Sequence, residues 1–182
     1  MRILFNQTQL QQAVEKVAQE IHSRHYDNLN PPVFICVLNG AFMFFTDLVK
    51  EMNPFDIEID FIRAKSYQNQ NQFEVKITKD IELDLVGKNV YIVDDIYDSG
   101  KTMNFIIEHL YRNSDNEVRR HYESPNSITP VTLFKRKNSD CEGLIYGFEL
   151  EDESWLHGYG LDGENGLYRN KKDIFGFLPE ID

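Results

Sequence analysis

Cysteine is scarce here: Cys36 and Cys141 are the only two, and they form no C-x-x-C motif. Cys36 lies in an apolar run and reads as a core residue, so a reducing, cytoplasmic compartment is expected. Long apolar runs are missing as well. Residues 33–49 are rich in apolar side chains but are broken by Asn39, Gly40 and Asp47. A membrane span needs roughly 20 uninterrupted apolar residues, so no membrane partner is expected. The first residues lack a basic segment followed by an apolar one, and no secretory signal is expected. Positive charge is also in deficit, with 19 Lys and Arg against 30 Asp and Glu, a net −11. That balance counts against nucleic acid or an anionic membrane as a main partner. Repeats and low-complexity linkers are absent, and the five histidines are scattered without a ligand pair. At 182 residues the chain reads as one domain, 1–182, with enough apolar content for a core.

What is present alternates between two periods. Thr8-Gln9-Leu10-Gln11 has the form of a capping box, followed at helical spacing by Leu10, Val14, Val17, Ala18 and Ile21. Pro31-Pro32 ends that unit. Val33–Leu38 is a continuous apolar run, as in a strand buried on both faces. Phe42, Phe45, Leu48, Val49 and Met52 then predict a helix. Phe55, Ile57, Ile59 and Phe61 alternate with Asp56, Glu58 and Asp60, predicting a half-buried strand. Phe73, Val75 and Ile77 alternate again, and the polar stretch Ala64–Gln72 between them reads as a flexible hairpin or loop. Val131–Phe134 and Leu144–Phe148 are the last clear strands. Strands alternating with helices predict an α/β fold with an open, mostly parallel sheet, whose ligands bind at the carboxyl ends of the strands.

One such end is rich in chemistry. In Asn89–Met103, the apolar run Val90-Tyr91-Ile92-Val93 leads into Asp94 and Asp95, then Asp98 and the small polar turn Ser99-Gly100-Lys101-Thr102. Helical spacing resumes at Met103, Phe105, Ile106 and Leu110. Backbone N–H groups at a helix start lack intrahelical partners, and the dipole there favours an anion. Gly100 lets the backbone approach closely, while Ser99 and Thr102 add hydroxyl donors. This describes a cradle for one phosphate, with carboxylates beside it suited to sugar hydroxyls or a hydrated divalent ion. It is not a triphosphate P-loop. That motif needs a glycine where this chain has Asp95, and the carboxylates would repel a triphosphate.

Two acids, two residues, an acid, then S/T-G-x-T after an apolar strand resembles the phosphoribosyl-pyrophosphate (PRPP) signature of the type I phosphoribosyltransferases. Further matches, from about Val33 to near the C-terminus, place the resemblance in their hypoxanthine-guanine branch. It implies a parallel sheet flanked by helices, a small hood formed by the terminal segments and a mobile lid loop. The implied reaction is purine salvage: attack of a 6-oxopurine on C1 of PRPP, giving IMP or GMP and pyrophosphate. By similarity Asp98, Ser99, Gly100, Lys101 and Thr102 hold the 5′-phosphate. Asp94 and Asp95 face the ribose hydroxyls and metal-bound water, and Asp98 also matches the acid that handles the purine N7 proton. Leu38-Asn39-Gly40 matches the pyrophosphate loop, where the family has a non-proline cis peptide. The family usually carries Lys or Arg in place of Asn39, so weaker PRPP binding is expected than in an Asn39→Lys variant. Ser66-Tyr67 matches a pair on the lid.

Lys135 matches the lysine that meets the purine O6. Lysine only donates hydrogen bonds, which suits a 6-oxo group and opposes the 6-amino group of adenine. Trp155 matches the aromatic that stacks on the base, and the backbone of Leu156 would bond the purine edge. Gly158-Tyr159-Gly160-Leu161-Asp162 matches a G-Y-[AG]-[LI]-D stretch, and Asp162 would bind a second Mg²⁺ or the two-amino side of the purine. Arg169 matches an arginine at the pyrophosphate, with one residue more between it and Asp162 than the family carries. Mg²⁺ is the expected cofactor, through Asp94, Asp95 and Asp162, because these ligands are all carboxylates. The resemblance also implies a homodimer or homotetramer. Preference among hypoxanthine, guanine and xanthine stays open, and a fold-sharing RNA-binding regulator is the alternative from another class.

Overall fold

The computed structural model describes residues 2–24, 30–69, 72–113, 124–139, 141–151, 154–163 and 166–176. The element order is β1 (Arg2–Phe5), α1 (Gln7–Arg24), β2 (Val33–Val37), α2 (Phe42–Glu51), β3 (Glu58–Asn69) and β4 (Gln72–Lys79). It continues with β5 (Asn89–Tyr97), α3 (Lys101–Asn113), β6 (Ser127–Arg136), β7 (Ile145–Leu150), β8 (Leu156–His157) and β9 (Ile174–Gly176). The main sheet has the order β4-β3-β2-β5-β6-β7. It is parallel from β3 through β7, with β4 antiparallel on the β3 edge. A second, antiparallel sheet, β1-β9-β8, joins the N-terminal strand to the C-terminal segment. This is the expected small hood.

Every residue of β2 is buried, because helices cover both faces of the sheet. Phe34 and Cys36 join Tyr91, Val93, Val131 and Leu133 under α1 and α2. Val33, Ile35 and Val37 join Val90 and Ile92 under Met103, Ile106 and Leu110 of α3. Each large side chain taken fully out of water here stabilises the fold by roughly 1.5–3 kcal/mol. Cys36 is a core residue, and its burial, followed by the charges of Asp94 and Asp95, pushes its thiol up to about 12.

Two local expectations change. The box that opens α1 lies two residues upstream of Thr8: Asn6 Oδ1 accepts from the Gln9 N–H at 3.0 Å, and Gln9 Oε1 accepts from the Asn6 N–H at 2.9 Å. On β3 the alternation runs opposite to its apolar pattern. Asp60 and Ile62 are buried, whereas Ile59 is 42% and Phe61 37% exposed. The helix layer explains this: α2 reaches β3 only far enough to set Phe45 against Phe61, with ring centroids 5.8 Å apart. The polar stretch after Ala64 is a hairpin, one of the two forms expected of it, with Ser66 paired to Val75 and Tyr67 to Glu74.

From β2 the chain passes through α2 to β3 on one side, while β5 lies on the other side of β2. The strand order reverses there, and the loops leaving β2 and β5 flank a crevice at the carboxyl ends of the sheet.

Candidate active site

The loop after β2 forms one wall of the crevice. Its Leu38–Asn39 peptide is cis, and the Leu38 N–H donates to the Ile62 carbonyl at 2.8 Å. Gly40 lies so close to β5 that a Cβ on it would collide with the Asp95 carboxylate. Helix α2 begins directly afterwards, with Ala41 as an N-cap that has no side chain to cap it.

The end of β5 forms the floor. The Asp95 N–H donates to Asp94 Oδ1 at 2.9 Å, and the Ile96 N–H to Asp95 Oδ1 at 2.7 Å. Burial, and then the charge of Asp95, pushes the Asp94 carboxyl well above the usual carboxylate range. Burial raises Asp95 as well, against the opposing bond from Ile96 and the charge of Arg169. Two carboxylates held this way gain from a cation placed over them. Gly100 then turns the chain at φ +72°, directly above the buried Tyr97, whose hydroxyl occupies the space a Cβ would need. Helix α3 starts there, the Asn104 N–H donating to the Gly100 carbonyl at 2.8 Å.

The hood supplies the third wall. Trp155 is 65% exposed and faces the crevice. Arg169 meets Asp162 at 2.7 Å through Nη2, and its Nη1 donates to the Gly160 carbonyl at 2.7 Å. Together these walls enclose a cavity of about 730 Å³. Asn39, Gly40, Asp94, Asp95, Asp98, Ser99, Gly100, Lys101, Thr102, Trp155, Asp162 and Arg169 all line it. Segments distant in sequence thus converge on one volume, and Arg169 reaches it despite the extra residue before it.

Other expected site residues stand apart from the lining. Lys135 meets Glu149 Oε2 at 3.2 Å and lies 5.4 Å from the Tyr146 ring centroid. Leu156 is buried in β8. Ser66 and Tyr67 belong to the β3–β4 hairpin, and their side chains lie outside the described residues. Sequence reasoning missed Ala64, Ile96 and Met103, which also line the cavity. It missed Glu149 too, although a strand placing Glu149 opposite Lys135 in register would have suggested the pair.

The donor set fits one class of metal. Asp94, Asp95 and Asp162 offer only carboxylate oxygens. Among the described residues, no three His, Cys, Asp or Glu stand together as a complete ligand cluster. Mg²⁺ is commonly held by one or two carboxylates and completed by water and substrate phosphates, which suits this floor. Zinc would call for nitrogen or sulfur ligands.

Residues 3–137 match the family model described as the phosphoribosyl transferase domain. The chain belongs to the phosphoribosyltransferase family. A hypoxanthine-guanine phosphoribosyltransferase of Bacillus subtilis (strain 168) is 33% identical over 99% of this chain and 94% of its own length. A hypoxanthine-guanine-xanthine phosphoribosyltransferase of Tritrichomonas foetus is 34% identical over 98% of this chain and 92% of its own. A crystal structure of a hypoxanthine-guanine phosphoribosyltransferase from Bacillus anthracis superposes with a TM-score of 0.82 at 32% identity. It covers 98% of this chain and 99% of that one. The parallel sheet with its hood is the type I phosphoribosyltransferase fold.

Proposed function

We propose that this phosphoribosyltransferase transfers the 5-phosphoribosyl group from PRPP to hypoxanthine and guanine, forming IMP or GMP and pyrophosphate in purine salvage. The observation that carries this reading is the convergence of the cis-peptide loop at Asn39, the Asp94–Thr102 turn and the Trp155–Arg169 segment on one cavity. The turn at Ser99–Thr102 holds the 5′-phosphate at the start of α3. Asn39, Gly40 and Arg169 hold the leaving pyrophosphate. Trp155 stacks on the base, whose edge meets the Leu156 backbone, and Lys135 turns from Glu149 to donate to the 6-oxo group. Asp98, exposed at the cavity, takes the purine N7 proton. Ser66 and Tyr67 close over the site and exclude water. Asp94, Asp95 and Asp162 would hold Mg²⁺, which neutralises charge on the departing pyrophosphate.

The chain would act as one domain, as a homodimer or homotetramer, in the cytoplasm. No helix among the described residues is long and apolar enough to cross a membrane. The deciding assay offers PRPP and Mg²⁺ with hypoxanthine, guanine, xanthine and adenine in parallel. Turnover of 6-oxopurines with adenine silent is the expected result, and it ranks the bases, including xanthine. Silence with every base would sink the reading in favour of an RNA-binding regulator, against which the net charge of −11 weighs.

A further inference from the structure

The segment Gly158–Leu161 lies behind the cavity and has no assigned role of its own. Gly158, Tyr159 and Gly160 adopt φ values of +98°, +48° and +99° in succession. Glycine takes such values freely, but for tyrosine they are unfavourable and persist only where the surroundings fix them. What fixes Tyr159 is visible. Its side chain is buried at 5% exposure, and its hydroxyl donates to Asp47 Oδ2 at 2.7 Å. Its own N–H donates to the Lys171 carbonyl at 2.8 Å. Asp47 sits on α2, the helix that begins where the cis-peptide loop ends, and its other oxygen faces Lys50 Nζ at 3.1 Å.

The consequence falls on Gly160. It packs so tightly on the loop after β2 that a Cβ would collide with the Gly40 carbonyl oxygen. The Gly160 N–H donates to the Arg169 carbonyl at 2.9 Å, and the Gly160 carbonyl accepts from Arg169 Nη1 at 2.7 Å. A single residue therefore touches two of the three residues assigned to pyrophosphate, Gly40 and Arg169, and Tyr159 next to it is tied to α2.

We propose that Tyr159 and Asp47 form a latch that positions the leaving-group end of the site, holding Gly40 and Arg169 in register through Gly160. The inference rests on the reading of Asn39, Gly40 and Arg169 as the pyrophosphate contacts. Neither latch residue lines the cavity, so both are positioning residues. Burial and the Asp47 carboxylate push the Tyr159 phenol far above its ordinary value, and the hydroxyl stays a donor through the working pH range. Misplacing a binding group by about 1 Å can cost up to ~100-fold in rate. The loss should fall on the ligand those groups contact.

The test compares Tyr159→Phe, Asp47→Ala, Asp47→Asn, the Phe/Ala double variant and Arg169→Ala. It measures pyrophosphate affinity by calorimetry with Mg²⁺, KM for PRPP and for hypoxanthine, and Tm. Tyr159→Phe and Asp47→Ala should each weaken pyrophosphate and PRPP about tenfold while KM for hypoxanthine holds. Asp47→Asn keeps an acceptor for the hydroxyl and should restore most of the affinity. The double variant should be no worse than either single one. Equal loss toward both substrates, additive losses, or no rescue by Asp47→Asn would overturn the latch, and the Asp47 variants decide the matter if Tyr159→Phe does not fold. Unchanged pyrophosphate affinity in Arg169→Ala would overturn the premise instead, which separates the two failures.

Discussion

Asp98 and Asn39 line the same cavity and invite opposite tests. Asp98 stands exposed at the turn that leads into α3, apart from the half-buried pair at Asp94 and Asp95. If it accepts the N7 proton, Asp98→Asn keeps the shape and removes the base. Turnover should then fall roughly 10²- to 10⁴-fold with PRPP affinity nearly unchanged, as read by steady-state rates and direct binding. Undiminished turnover would remove Asp98 from the chemistry. Asn39 is an exposed neutral side chain on the cavity wall proposed to meet pyrophosphate. A cation there would add a charge-assisted contact, so Asn39→Lys should tighten PRPP about tenfold, the equivalent of ~1.4 kcal/mol. The gain should shrink as salt is raised. Equal or weaker binding in the variant would show that the native loop already does the work through its backbone.

At the scale of elements, β3 shows how far a sequence pattern reaches. The alternation of Ile59 and Phe61 with Asp60 is a sound strand signal, and the strand is there. Which face is buried depends on the reach of α2 and on the segment after β4, and neither is encoded locally. Asp60 looks like the polar half of the pattern, yet it is 6% exposed. Its carboxylate accepts from the N–H groups of Glu82 at 2.6 Å, Leu83 at 3.0 Å and Phe61 at 2.7 Å. It thereby anchors the connection between β4 and β5. The turn from β5 into α3 was legible for the converse reason: all its parts lie within Asp94–Thr102. The contacts of Gly40 with Asp95 and Gly160 join separate segments and needed the fold. Burial alone would raise the Asp60 carboxyl, but the three N–H donors and Lys79 outweigh it and hold it below its ordinary value. A carboxyl depressed in the folded state adds stability above its unfolded pKa of about 3.9, and this is lost as pH falls through the folded value. Asp60→Asn should therefore cost roughly 2–3 kcal/mol near neutrality. In paired thermal melts, its gap to the native chain should close progressively below about pH 4. A gap independent of pH would assign the loss to packing alone.

The molecule as a whole carries a net charge of −11, and a phosphoribosyltransferase must still collect a polyanion. Long-range repulsion is not decisive, because charges more than about 8 Å apart are largely screened at physiological salt. The cavity itself is the obstacle. Among the described residues, Asp94, Asp95, Asp98 and Asp162 line it against Lys101 and Arg169, and Arg169 is already engaged with Asp162. Position 39, on the same wall, holds a neutral Asn rather than a cation. Under the proposed function, compensation for the PRPP phosphates would arrive with the ligand, as Mg²⁺ that Asp94 and Asp95 would hold. A ligand at a hundred times its Kd stabilises the folded state by about 2.7 kcal/mol, which for a chain of this size raises Tm by roughly 5–10 °C. PRPP with Mg²⁺ should produce such a shift in a thermal melt, and PRPP with EDTA almost none. Asn39→Lys should recover part of the shift in EDTA, since its ammonium supplies locally what the metal otherwise brings. An equal shift with and without the metal would mean that backbone donors at Gly40 and Ser99–Thr102 overcome four carboxylates unaided, and the electrostatic account of this site would fail.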